Sequence, residues 1–169
     1  MISKLIGGVC VVAATSKIGY KKADKYEKRL KDLKSLESAL WLLKSEMEFS
    51  MPVLKDAFLI CSSLVQKNIG DILLSVSNKI NDGTDVVAAW CNAIDEGEHS
   101  LNNEDVVIIK EFANALGASD LKLQLENIEN TVARLKTRQQ NAMENYKKYC
   151  KMCKTLGVTS GILIVTLFI

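Results

Sequence analysis

The sequence predicts an all-α protein: a six-helix bundle whose long first and last helices form an antiparallel stalk that continues into N- and C-terminal membrane segments. Three observations carry this. Apolar residues recur at three- and four-residue steps through most of the chain, the period of one helix face. A single proline in 169 residues argues against an all-β fold, where turn signals recur often. No stretch shows convincing strand alternation.

The chain opens on ISKLIGGVCVVAATSKIGY, an apolar run with one early lysine. That pattern resembles a secretory signal, whose cleavage would leave a passive helical tether with an extracytoplasmic domain. More positive charge follows the run than precedes it, however, and Val9 sits before Cys10 where a lipoprotein signal wants a small residue. The favoured expectation is an uncleaved membrane segment over residues 1–20. Tyr26, Leu30, Leu33, Leu36, Leu40, Leu43 and Met47 then mark one face of a long helix ending near Phe49. Pro52 fits the first turn of the next helix, VLKDAFLICSSLVQ, which the sequence ends before Gly70. DILLSVSNKIN follows and stops at Gly83. DVVAAWCNAI is the fourth helix, closed by the polar run around Gly97. NNEDVVIIKEFANALG opens on capping residues and ends at Gly117.

Ser119 is expected to open the last helix. Leu121, Leu125, Ile128, Val132, Leu135, Gln139, Ala142, Tyr146 and Tyr149 alternate four and three apart, a heptad seam with one polar interruption. No glycine or proline breaks residues 118–156, so this helix runs from the bundle, residues 21–154, into the C-terminal segment 155–169. That segment is uncharged, but its fifteen residues span roughly 22 Å of a hydrocarbon core about 30 Å thick.

Charge resolves the ambiguity of length. Residues 17–34 hold eight Lys/Arg against three Asp/Glu, and residues 134–154 hold seven against one. Residues 35–133 hold six basic against sixteen acidic. Lys147, Lys148, Lys151 and Lys154 precede the tail, while Lys17, Lys21 and Lys22 follow the N-terminal run. Basic residues beside apolar segments mark the cytoplasmic flank of membrane spans. Both ends are therefore expected to cross the membrane, with snorkelling lysines and local thinning making up the missing length. The bundle is then cytoplasmic.

Catalytic signals are few. His99, the one histidine, lies in a polar stretch and reads as a solvated loop residue. No glycine-rich phosphate loop with a following lysine is present. Cys150 and Cys153 have the spacing of redox and metal motifs, but no second pair accompanies them. On a helix the spacing places two small side chains on one face. Cys61 and Cys91 lie in apolar runs and read as core residues. Five thiols without a framework suit a reducing compartment. No enzyme activity, cofactor, metal, nucleic acid or small-molecule substrate is expected.

Two stretches read as contacts. Gly157 and Gly161 form a GxxxG spacing that lets membrane helices approach closely. EMEFSMPVLKDAF, residues 46–58, is most simply a helix-turn-helix corner with Phe49 and Leu54 buried. Alternatively Glu46 and Glu48, with Met51, Pro52 and Leu54, form a partner surface at the acidic end of the bundle, recognised by charge complementarity.

The stretches GYKKADKYEKRLKDLKSLESAL, LKSEMEFSMPVLKDAF, IIKEFANALGASDLKLQLENI and YCKMCKTLGVTSGILIVTLFI, in this order, resemble the stage III sporulation protein AB family of endospore-forming bacteria. The resemblance spans nearly the whole chain and is weakest at about residues 70–100. It implies a component of the channel complex that links mother cell and forespore after engulfment, in the outer forespore membrane on the mother-cell side. It also implies a likeness to the helical cytoplasmic domains of type II secretion and type IV pilus platform proteins, which couple a secretion ATPase to assembly. By that analogy the partners are the stage III sporulation protein AA ATPase and other channel subunits. The chain departs from platform proteins in having one bundle and two short candidate spans.

Overall fold

Six helices make up the described chain: α1 (Ile2–Phe49), α2 (Leu54–Leu64), α3 (Lys67–Asn81), α4 (Val86–Glu96), α5 (Asn103–Leu116) and α6 (Leu121–Phe168). The computed structural model describes residues 2–49, 53–116 and 120–168; most side chains before residue 20 and after residue 152 lie outside that description. No strand occurs among the described residues. The chain forms two compact units, residues 31–140 and residues 1–30 with 141–169.

The boundaries within the first of these units have local causes. Helix α3 ends in a left-handed glycine, Gly83 at φ +87°. The Thr84 amide donates to the Lys79 carbonyl and the Gly83 amide to that of Ile80, the paired bonds of a Schellman ending. The Asp85 carboxylate caps α4 by accepting from the amides of Val87 and Ala88. Asn102 and Asp105 cap α5 reciprocally: the Asp105 amide donates to Asn102 Oδ1 at 2.9 Å, and the Asn102 amide to Asp105 Oδ2 at 3.1 Å. Ser119 lies outside the described residues, as does Gly117. The cap of α6 is Asp120, whose carboxylate accepts from the Lys122 amide at 3.1 Å.

Gly70 corrects the sequence reading. It does not terminate a helix; it lies buried inside α3. A Cβ there would stand 2.5 Å from the Ser62 carbonyl oxygen of α2, so the glycine lets two backbones meet. A two-residue link, Val65 and Gln66, folds α3 back on α2, and Ser77 Oγ donates to the Lys55 carbonyl across the pair.

The core of this unit joins α2, α4 and α5 through Phe58, Trp90 and Phe112, each about 1% exposed. Trp90 lies 5.3 Å from the Phe58 ring and 5.4 Å, edge-on, from that of Phe112. Its indole N–H donates to the Ile109 carbonyl at 2.9 Å, so the ring is buried without an orphan donor. From α1, Leu33, Leu36, Leu40, Leu43 and Met47 are buried, and from α6 Ile128, Val132 and Leu135. Gln139, the polar interruption of the seam, donates to the Leu33 carbonyl at 3.2 Å and to Glu37 at 2.7 Å. With Lys44 paired to Glu129, residues 31–49 and 121–140 run in opposite directions.

In the second unit Ala23, Leu30, Ala142 and Cys150 are buried, and Tyr26 stacks on Tyr149 with ring centroids 5.3 Å apart. Among the described residues no helix is long and apolar enough to cross a membrane. Most apolar side chains of both terminal segments lie outside the described residues.

Candidate partner-binding surface

The acidic corner is built where α1 ends and α2 begins. Leu40, Leu43 and Met47 face the core, which turns Glu48 and Phe49 to solvent. Glu48 is exposed and pairs with Lys44 at 3.5 Å. Lys44 also reaches Glu129, and that hydrogen bond is the main cause holding its ammonium above the ordinary lysine range. Glu46 is half-buried and lies close to Cys61 of α2. Burial first, and the Glu46 charge second, push the Cys61 thiol from 9.0 up to about 11. Cys61 is therefore an inert core thiol.

Leu54, the first residue of α2, is half-buried, while Met51 and Pro52 lie outside the described residues. Phe49 corrects the simple corner reading: it is 86% exposed. The sequence reading also passed over Val53, Ile60 and Leu64, all exposed. The available signal was that LKDAFLICSSL has more apolar residues than one helix face can bury.

The other predicted positions are distributed as follows. Lys17, Lys21, Lys147, Lys148 and Lys151 are exposed, and Lys148 lies over the Tyr149 ring at 5.3 Å. The side chains of Lys22, Lys154 and Cys153 lie outside the described residues, as do the surroundings of Gly157 and Gly161. Cys150 is buried and free. Among the described residues no cluster of His, Cys, Asp or Glu is arranged to hold a metal. His99 is not a solvated loop residue. It is half-buried, with Nε2 3.1 Å from the Ile94 carbonyl and Nδ1 buried with no partner among the described residues. A carbonyl only accepts, so Nε2 carries the proton and the ring closes the end of α4.

A cleft of about 420 Å³ between the start of α3 and the end of α4 is lined by Lys67, Asp71, Glu96 and Glu98.

Taken together, fold and surface define a helical protein with basic-flanked apolar ends and an acidic helical unit between them. The sequence profile of the stage III sporulation protein AB family matches residues 4–169, and the chain belongs to that family. It is 26% identical over 167 residues to stage III sporulation protein AB of Bacillus subtilis (strain 168), covering 97% of this chain and 98% of that protein. A solved structure of stage III sporulation protein AB (SpoIIIAB) superposes with a TM-score of 0.64 at 19% identity, covering 70% of this chain and 96% of the other. At that identity the structural likeness speaks to the fold alone. The family is not a known enzyme family.

Proposed function

We propose that this protein is a non-enzymatic platform of the mother cell–forespore channel complex of sporulating cells, held in the outer forespore membrane by both apolar ends. Its cytoplasmic helical unit couples to a secretion-type ATPase, and its spans join other channel subunits. Charge polarity carries this reading: sixteen acidic residues between two basic blocks, each block beside an apolar end. Anionic headgroups attract such blocks by about 1 kcal/mol per charge near the surface and repel the acidic part. That preference turns the central helices away from the bilayer, toward a soluble partner. Family membership supports the sporulation setting, and the resemblance to platform proteins supports the ATPase as partner.

The test is co-purification from membranes of the intact protein with the stage III sporulation protein AA ATPase. Association is expected, and it is expected to weaken in the Glu46→Lys, Glu48→Lys double variant while the helical content stays unchanged. Glu46 should dominate, because part of the Glu48 charge is already offset by Lys44. Both proteins intact in the membrane without association would overturn the coupling.

A further inference from the structure

Helix α2 carries more apolar residues than the bundle covers. Ala57, Phe58 and Cys61 are buried. Along the adjoining edge Val53 is 64% exposed, Ile60 41% and Leu64 60%. At about 100° per residue these three positions fall within about 40° of one another, so they form one stripe. Phe49, the last residue of α1, stands four residues before Val53, within about 14 Å along the chain. Single exposed apolar residues are ordinary, but three along one edge, with exposed Phe49 within chain reach of the first, are the mark of a contact surface.

The charges beside the stripe select its occupant. Glu46 and Asp56 flank it, and among the described residues no cation pairs with either of them. Glu48 shares its lysine with Glu129. Lys55, the one lysine of α2, is turned to Asn81 of α3. An anionic lipid surface would be repelled by these carboxylates. A second copy meeting edge to edge would set one acidic edge against another, since a two-fold contact uses the same patch twice. An amphipathic helix flanked by Lys and Arg meets both features, its apolar side on the stripe and its cations on the carboxylates.

We infer that the edge formed by Phe49, Val53, Ile60 and Leu64, with Glu46 and Asp56, is the docking surface for a basic amphipathic helix of a protein partner. This deepens the docking proposed above and rests on that reading for the partner's identity.

The test places the photo-crosslinker benzoylphenylalanine at position 60 or 64 of the full chain in sporulating cells, with position 107 of α5 as the control. Val107 is also exposed, at 52%. Adducts are expected from 60 and 64 and not from 107, and the crosslinked peptide should be an apolar helix segment bordered by Lys or Arg. No adduct, equal adducts at 107, or adducts to lipid, to a second copy or to an acidic segment would each overturn the inference. In parallel, the I60S/L64S variant should bind the partner about tenfold more weakly or worse, as loss of central apolar anchors does. Adducts to a basic helix of a protein other than the ATPase would uphold this surface and overturn the ATPase coupling. ATPase association unchanged by I60S/L64S, with no adduct at 60 or 64, would do the reverse.

Discussion

The start of α5 and the outer edge of α2 belong to the same compact unit and treat their side chains in opposite ways. At the start of α5 the buried Asp105 carboxylate sits in a charged cluster with half-buried Arg138 and exposed Glu104, and each of the three has a partner. Asp105, fully buried, accepts from Arg138 Nε at 2.9 Å and from the Asn102 amide at 3.1 Å. Arg138 also donates to Glu104 and, at 3.4 Å, to Asn102 Oδ1. Burial acts to lower the Arg138 pKa, but the hydrogen bonds to Asp105 and Glu104 outweigh it and hold the guanidinium above its ordinary range. At the edge of α2, by contrast, apolar side chains face water and the nearby carboxylates Glu46 and Asp56 lack cations. Buried charge is tolerated where its geometry closes. Exposed apolar surface is tolerated where a partner covers it. The first arrangement locks helices within this chain, and the second leaves one helix open to another chain.

The largest effect should come from breaking the closed cluster. Arg138→Met leaves the Asp105 carboxylate buried with its main counter-charge gone, which costs about 3 kcal/mol or more. Urea unfolding followed by helical signal should show the loss as a lower midpoint. An unchanged midpoint would mean that water reaches Asp105, and the contrast with α2 would lose one of its sides.

A middle effect is expected at Gly70. In Gly70→Ala the added methyl meets the Ser62 carbonyl oxygen 2.5 Å away, and backbone cannot swing aside as a long side chain does. Separating α2 from α3 should cost about 2 kcal/mol, in the range of overpacked cores, read from the same unfolding curves. It should also disturb the edge, because α3 holds α2 in place. A variant as stable as the parent would show that α2 and α3 yield, and that the edge is soft.

How far these features were legible in the sequence follows from whether they are local. The end of α3 and the start of α5 are set by neighbours in the chain, so Gly83 and Asn102 announced them. The core positions of α1 and α6 followed from helical spacing. Gly70 was misread because a glycine between apolar runs signals a stop, whereas its cause is the approach of Ser62 from another helix. Phe49 was also misread. An aromatic residue closing an apolar face reads as buried, whereas this ring is 86% exposed. Ser119 was expected to open α6, whereas the carboxylate that caps the described helix is that of Asp120. For the candidate surface, Glu46 and Glu48 were legible as charge, while Val53, Ile60 and Leu64 were hidden because the apolar residues of α2 extend past its buried face.

The smallest effect on stability is the sharpest test of the contrast. Phe49 is 86% exposed, so Phe49→Ser removes almost no buried area and ends α1 with an equally acceptable residue. Its stability should stay within about 0.5 kcal/mol of the parent, as for surface substitutions away from special features. A cost well above that would mean the ring is covered within the chain, and the edge would shrink to the three residues of α2. If stability holds, any loss of partner binding by the same variant is chargeable to the contact itself. A large apolar side chain that contributes nothing to the fold it belongs to is then held for a surface outside it.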